Sequence, residues 1–293
     1  MRSERPFVSF VFPVHVEGAP LLRRALDALE CQTDWDFEVV VAVDARCGRE
    51  GRDPSRVGIE AGLRRPFRVR RVTSQRQPAY RHLPHRNHAR NAGCNAAEGE
   101  HLWVLDADMI PDPRAVEHLK AIVSSSSKPT CVSPCFAEPD MTPAAWLAYD
   151  GSPWAAPRRE YVRHSGRLAE HRLGPARAAR APSLVEGFPS CPRWLWEALG
   201  GYDERFLAYG GNKVDFVRQL TSLDSQEGLV EVCLLRSCLF LHQPHERDPL
   251  RFDESHRARN WELYRTRRAE MVAGAPWWRE KVSAVRAAAA HAA

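Results

Sequence analysis

At 293 residues the chain has room for one large domain or two small ones, and it can bury a full core without a disulfide or a metal as a staple. Its 44% apolar, 27% charged and 9% aromatic residues exclude the disordered, collagenous and coiled-coil classes. The net charge of +5, from 42 basic and 37 acidic residues, is too small to define a partner by itself.

In chain order, the first 123 residues alternate strand and helix signals, the pattern of a parallel sheet with crossover helices. Phe7–Pro13 is a β-branched and aromatic run closed by proline. Pro20–Glu30 spaces Leu21, Leu22, Ala25, Leu26 and Leu29 along one helical face. Phe37–Val43 predicts a second strand stopping at Asp44, and Phe67–Val72 a short third one. Asn87–Ala97 predicts a helix ended by Gly99, His101–Leu105 a buried strand, and Pro113–Val123 another helix. Asp44 and Asp106 therefore stand at strand carboxyl ends, where open parallel sheets bind ligands.

Beyond Ser124–Ser127 the texture changes to short strands, prolines and tryptophans. The expected elements are a strand over Thr130–Phe136, a helical piece over Ala144–Tyr149, and a polar loop over Pro157–Ser183. Helices follow at Trp194–Leu199, before Gly200-Gly201, and at Val214–Leu223. Val230–Leu241 reads as a strand, Asp253–Val272 as a charged amphipathic helix, and the alanine-rich tail past Arg286 as frayed.

Arginine is concentrated in two places. Arg64 to Arg90 holds nine arginines and no acid, which predicts an anionic, phosphate-bearing ligand to relieve their repulsion. Arg158 to Arg180 holds seven arginines against Glu160 and Glu170 and reads as a solvated loop, with a lid or acceptor platform beside Trp146, Trp154, Trp194 and Trp196 as the sharper reading. The interleaved aromatics of a nucleic-acid surface are missing, so no nucleic-acid partner is expected. No run reaches the roughly 18–20 apolar residues of a membrane helix, and Met1–Pro13 lacks an apolar segment followed by a cleavage site. The expectation is a cytoplasmic protein with no integral membrane association, whose eight cysteines are reduced core residues. The Cys131/Cys135 and Cys233/Cys238 spacings only loosely approach those of zinc ligands.

Asp106-Ala107-Asp108 closes a predicted strand, so two carboxylates at a strand end can address one hard divalent cation. His242 directly follows the apolar run Leu239-Phe240-Leu241, with His245 shortly after it. His82, His85 and His88 lie in a proline-rich stretch with no supporting carboxylate and read as solvated or phosphate-facing.

Several segments together resemble a known family. Val8-Ser9-Phe10-Val11-Phe12-Pro13-Val14, Ala25-Leu26-Asp27-Ala28-Leu29 with Gln32-Thr33, and Phe37 through Asp44 resemble the opening of family-two inverting glycosyltransferases of the GT-A fold. Ala89-Arg90-Asn91-Ala92-Gly93 and Leu105 through Pro111 resemble the next motifs in order, and Leu199 through Phe206 with Tyr209-Gly210-Gly211 resembles the acceptor-side segment of the galactosyltransferase-like branch. The resemblance implies an α/β GT-A fold, a mostly parallel central sheet flanked by helices, with residues 1–123 as the nucleotide-sugar-binding half, 124–252 as the acceptor half, and 253–293 as a C-terminal amphipathic helix and tail. It also implies transfer of a hexose-type sugar from a nucleotide diphosphate donor, a UDP-sugar, with inversion and with Mn²⁺ or Mg²⁺ as cofactor.

Position by position, the resemblance assigns Pro13 and Asp44 to the nucleotide, Arg90 to nucleotide or phosphate, Asp106 to the ribose side and the metal, and Asp108 and His242 to the metal, with His242 preferred over His245 because it directly follows the apolar strand and by its spacing after Lys213. One departure stands out. Where the family has Gly-Gly-Glu-Asp-x-Asp, with an aspartate as general base, this chain has Gly210-Gly211-Asn212-Lys213-Val214-Asp215. A lysine cation cannot take a proton from the acceptor hydroxyl. Asp215 and Glu186 are the foremost substitute bases, with Asp203 and Glu204 behind them. Lys213 suits an acidic acceptor or the donor diphosphate, and an acceptor already nucleophilic would need no strong base. The competing expectation is a catalytically impaired GT-A domain that binds sugar nucleotide as a scaffold, and a homodimer is open under either.

Overall fold

The computed structural model describes residues 5–14, 18–44, 65–74, 86–161, 171–172, 189–207, 210–246 and 254–292. Four strands of the first half, β1 (Val8–Val14), β2 (Phe37–Asp44), β3 (Arg68–Ser74) and β4 (His101–Val104), lie side by side in the order β3-β2-β1-β4, all parallel. All seven residues of β1 are buried, because helices cover both faces of the sheet. Alternate side chains consequently serve two cores. Phe10, Phe12, Val39, Val41 and Trp103 pack with α1 (Ala19–Leu29), whereas Val11, Val40, Leu102 and Val104 join the opposite core.

The sheet continues through the second half. β9 (Ser190–Pro192) runs antiparallel between β4 and β6 (Thr130–Pro139), β10 (Glu231–His242) lies parallel to β6, and β5 (Met109–Ile110) pairs antiparallel with the end of β10. Two further short strands, β7 (Arg158–Tyr161) on β6 and β8 (His171–Arg172) on β10, occur inside the stretch expected to be a structureless loop. Among the described residues β1, β2, β3, β4, β6 and β10 run one way and the short β5, β7, β8 and β9 run against them. The mostly parallel α/β sheet is thus present, and both halves of the chain contribute to it.

α2 (Arg86–Ala96) lies across β1, β2 and β3. Its approach depends on Gly93, where a Cβ would stand 2.5 Å from Val11 Cγ1 and 3.1 Å from Ala42 Cβ. Asn91 fixes the other side of α2, accepting from Tyr202 N at 2.9 Å and donating to Tyr202 O and to Glu204 Oε1, each at 2.9 Å. The remaining helices are α3 (Ala115–Ser125), α4 (Pro143–Ala148), α5 (Arg193–Ala198), α6 (Asn212–Ser225), α7 (Glu254–Val272) and α8 (Pro276–Ala292).

The alanine-rich tail past Arg286 differs from expectation: it is helical to Ala292, continuing α8, whose earlier residues Trp278, Val282 and Val285 are buried along one face, against α5 among others. α7 is held differently, by a buried ion pair. Arg267 Nε donates to Asp215 Oδ1 at 2.9 Å, its Nη1 lies 3.2 Å from Asp203 Oδ2, and its guanidinium stacks 4.2 Å from the Trp277 ring centroid.

The arginine-rich stretch also departs from the expected anion site over part of its length. Arg65 pairs with Asp27 and Glu30, and Arg68 and Arg70 pair with Glu98, so acids from elsewhere in the fold supply the counter-charge. Trp146 and Trp196 are buried core residues, and so are Cys94, Cys131, Cys135, Cys191, Cys233 and Cys238. Among the described residues no helix is long and apolar enough to cross a membrane.

Candidate functional site

The sheet brings the carboxyl ends of β1, β2, β4, β6 and β10 to one edge, so Pro13, Asp44, Asp106, Glu138 and His242 meet from positions up to 229 residues apart in sequence (242 less 13). Pro13 is buried in β1 opposite Ala42. Asp44 is the last residue of β2, paired in register with Ser74, and its side chain lies outside the described residues.

β4 leads into the turn Leu105–Asp108, which is anchored by Leu105 N donating to Val11 O and Met109 N donating to Asp106 O. Asp106 is held by basic groups. Arg90 Nη2 donates to its Oδ1 at 3.0 Å, Lys213 Nζ to its Oδ2 at 3.1 Å, and Arg86 Nη1 lies 3.9 Å from Oδ2. Arg86 and Arg90 are one turn apart on α2 and so present to the same carboxylate. Arg90 itself is buried and braced by donating to Asn87 Oδ1 at 2.8 Å. Burial alone would raise the Asp106 pKa, but Lys213, Arg90 and Arg86 outweigh it and hold the carboxyl well below its ordinary range. Three basic groups thus converge on one carboxylate. Lys213 reaches this point from the first turn of α6, whose entry bends through Gly210 and Gly211 at φ of 92° and 67°, a left-handed backbone that favours glycine.

Asp108 belongs to a second group. The β5–β10 pairing places Met109 opposite His242, and Gln243 N donates to Asp108 O at 2.8 Å, which carries both histidines to Asp108. His245 Nε2 lies 3.0 Å and His242 Nε2 3.4 Å from Asp108 Oδ2. Between the two histidines, the buried Gln243 accepts from Trp146 Nε1 at 3.0 Å and donates to Leu21 O at 2.9 Å, pinning the segment to the core. Glu138, at the end of β6, sits 3.0 Å from His242 Nδ1.

Burial would lower the His242 pKa, yet the hydrogen bonds to Asp108 and Glu138 push it up to about 9. The hydrogen bond to Asp108 likewise raises His245. Asp108 is pulled down by the two histidines against the opposing effect of burial. Its other oxygen, Oδ1, is buried with no hydrogen-bond partner among the described residues. One ligand atom each from Asp108, His242 and His245 lie within 4.8 Å of one another, and they form the only such cation-sized group among the described residues. A carboxylate with an unsatisfied buried oxygen beside two imidazole nitrogens fits a divalent cation.

The expected set of Asp106, Asp108 and His242 is therefore divided: Asp108 and His242 come together, His245 joins them, and Asp106 faces Arg90 and Lys213. Asp215 is 1% exposed, with Oδ1 accepting from Arg267 and Oδ2 from Gln219 at 2.8 Å, so it serves the α6–α7 contact. Glu186 lies outside the described residues, as do His82 and His85. His88 sits 3.1 Å from Glu204, and Asp203 binds Arg205 and Arg267. Glu138 and Gln243 were missed from sequence. Glu138 carried one signal, a carboxylate at the carboxyl end of a strand.

No protein-family model matches this sequence. No curated protein matches it either. Solved structures do match in fold. Staphylococcus aureus TarS residues 1–349 in complex with UDP-GlcNAc is 12% identical with a TM-score of 0.57, covering 83% of this chain and 60% of that one. Glucosyl-3-phosphoglycerate synthase from Mycobacterium tuberculosis, solved with Mn²⁺, UDP and its glucosylated product, is 16% identical with a TM-score of 0.52, covering 90% and 80%. GalNAc-T7, solved with UDP, GalNAc and Mn²⁺, is 16% identical with a TM-score of 0.56, covering 89% and 48%. The chain spans about 60% of the TarS fragment it matches.

Proposed function

We propose that this chain, which has the GT-A fold of those glycosyltransferases, is itself a metal-dependent glycosyltransferase that moves a hexose-type sugar from a UDP-sugar to an acceptor with inversion. The observation that carries the reading is the meeting, at the carboxyl edge of the sheet, of the basic group on Asp106 with the Asp108–His242–His245 group. UDP, UDP-GlcNAc and Mn²⁺ in the solved neighbours support it.

In this reading Pro13 and Asp44 border the nucleotide base, and Asp106 addresses the ribose. Arg86, Arg90 and Lys213, gathered on Asp106, would meet the donor's phosphates. Asp108, His242 and His245 would hold the divalent cation, Mn²⁺ or Mg²⁺. Such an ion would supply Lewis-acid stabilisation of the charge growing on the leaving nucleotide. The ion pair of Asp215 with Arg267 supports Glu186 over Asp215 as the carboxylate that takes the acceptor proton. Lys213, by the same geometry, acts on the donor's anion rather than as a base.

One observation favours a second reading. A lysine where the family places its base suits a domain that binds sugar nucleotide as a scaffold without turning it over. The experiment is a calorimetric titration with UDP, UDP-glucose, UDP-galactose, UDP-GlcNAc and GDP-mannose, with and without Mn²⁺, followed by a donor-hydrolysis assay. Metal-dependent binding of one donor with slow hydrolysis to UDP and sugar is expected of the transferase. Binding without hydrolysis selects the scaffold, and no nucleotide binding overturns both.

A further inference from the structure

One face of α7 enters neither hydrophobic core. Arg257, Trp261, Tyr264 and Arg268 recur four, three and four residues apart, so they form a single stripe along the helix, about 16 Å long at 1.5 Å per residue. The stripe starts at the entry to α6, where a Cβ on Gly210 would stand 3.4 Å from both Arg257 Cγ and Trp261 Nε1. Lys213, three residues on, reaches Asp106, so one end of the stripe borders the candidate transfer site. The Trp261 and Tyr264 rings meet edge to face with 5.6 Å between centroids, and neither residue is fully buried. At the far end Arg218 of α6 joins Tyr264 and Arg268. Burial lowers the Arg218 pKa, Tyr264 opposes that shift and Arg268 adds to it, as guanidinium groups brought close to each other must.

The acids of α7 do little to offset this charge. Glu262 is taken by Arg265, and Glu270 accepts from Trp277 Nε1. Glu254 lies 3.7 Å from Arg257 Nη1, too far for a hydrogen bond, with both side chains half exposed or more. Arginine forks recognise carboxylates through two parallel hydrogen bonds, and aromatic rings offer rigid apolar faces that pack on the C–H face of a sugar. Neighbouring stripe residues are one helical turn apart, about 5 Å, so the anionic group must be carried on the stacked sugar or directly beside it. We propose that this stripe is an acceptor track, and that the acceptor is an oligosaccharide bearing carboxylates on its rings, a uronate-type glycan whose reacting end lies toward the Gly210–Lys213 turn. The proposal rests on the transferase reading and deepens it by naming the acceptor class.

The test titrates the full chain, without nucleotide or metal, with tetragalacturonate, with neutral maltotetraose, with a single-stranded oligonucleotide and with phosphatidylglycerol vesicles. Tetragalacturonate is expected to bind at least about 10-fold more tightly than maltotetraose and to weaken as salt is raised. Arg257→Gln combined with Arg268→Gln should remove most of that difference, whereas Trp261→Ala should weaken both sugars. Melting midpoints followed by circular dichroism establish that the variants are folded. Should Trp261→Ala fail to fold, Arg268→Glu at its exposed position should still weaken tetragalacturonate about 10-fold or more. Equal affinity for the two sugars, binding of neither, or full tetragalacturonate affinity in the double arginine variant overturns the proposal. So does tighter binding of the oligonucleotide or the vesicles, which would give the stripe to a nucleic acid or a membrane surface. Because the titrations contain no nucleotide, the two readings fail separately. A chain that binds tetragalacturonate but ignores UDP keeps its glycan surface and loses the acceptor role, and one that binds UDP but no uronate keeps the donor reading alone.

Discussion

Arg267→Met tests how the C-terminal helices are joined to the site. Arg267 contacts two carboxylates at 2.9 and 3.2 Å while Asp215 is 1% exposed, so the substitution removes the ion-pair partner of a buried carboxylate and leaves Gln219 as its hydrogen-bond partner among the described side chains. Charges about 4 Å apart attract by about 4 kcal/mol at an effective dielectric constant of 20, and desolvation offsets much of that while the pair is intact. Removing one partner forfeits the attraction without recovering the desolvation, which sets the expected loss at about 3–5 kcal/mol. At roughly 2–4 °C per kcal/mol for a chain of this size, the melting midpoint should fall by about 10 °C. Urea unfolding followed by circular dichroism gives the free energy directly. The double variant Arg267→Met with Asp215→Leu should recover most of the loss, because an apolar pair of similar volume replaces the ion pair at little net cost. A single-variant loss under about 1 kcal/mol, or a double variant as unstable as the sum of the two singles, would refute this account.

Four further outcomes are expected. Gly93→Ala forces a Cβ against Val11 and should destabilise by about 1–3 kcal/mol in urea titration, lowering nucleotide affinity as α2 lifts Arg90 from Asp106. Lys213→Met should weaken UDP about 10–100-fold by calorimetry while leaving uridine unchanged, and equal losses for both would place Lys213 away from the phosphates. His101, stacked on Phe7 and pushed by burial down to about 4, is neutral in the folded chain. Its folded pKa lies below the unfolded 6.5, so its contribution is complete above pH 6.5 and is lost as pH falls towards 4, by at most about 3 kcal/mol. His101→Phe should flatten that part of the stability profile. Glu186→Gln should lower kcat at unchanged donor affinity, and full turnover would remove it as the base.

The strand ends at Asp44, Asp106 and Asp108 were legible because a buried parallel strand leaves a plain apolar run that stops at a carboxylate. Arg90 was legible through Ala89-Arg90-Asn91-Ala92-Gly93, and the close packing at Gly93 explains that segment's glycine. His245 was set behind His242 because His242 directly follows the apolar strand and suits the family's spacing after Lys213. The β5–β10 pairing and the pinned Gln243 bring both histidines to Asp108, and both features are tertiary. β9 was missed because three residues have no period, and its place is fixed by β4 and β6 on either side. The tail past Arg286 read as frayed because it is alanine-rich, and it is helical as the continuation of a segment whose apolar anchors lie before Arg286. Trp278, Val282 and Val285 recur at helical spacing, and that signal was present in the sequence.

The two-residue strand β5 also bears on the order in which the molecule is made. Asp108 gains its histidines only when β10 closes against β5, and β10 must first lay itself along β6, so the contact spans more than one hundred and thirty residues (242 less 108). Contacts of such separation carry a loop-closure cost and form late. A chain emerging from the ribosome would fold the first four strands and bury Arg90 well before His245 had been synthesised. Cation capture would then follow folding rather than nucleate it, and a stalled chain ending before residue 242 would display the Asp106 half of the site with Asp108 unguarded.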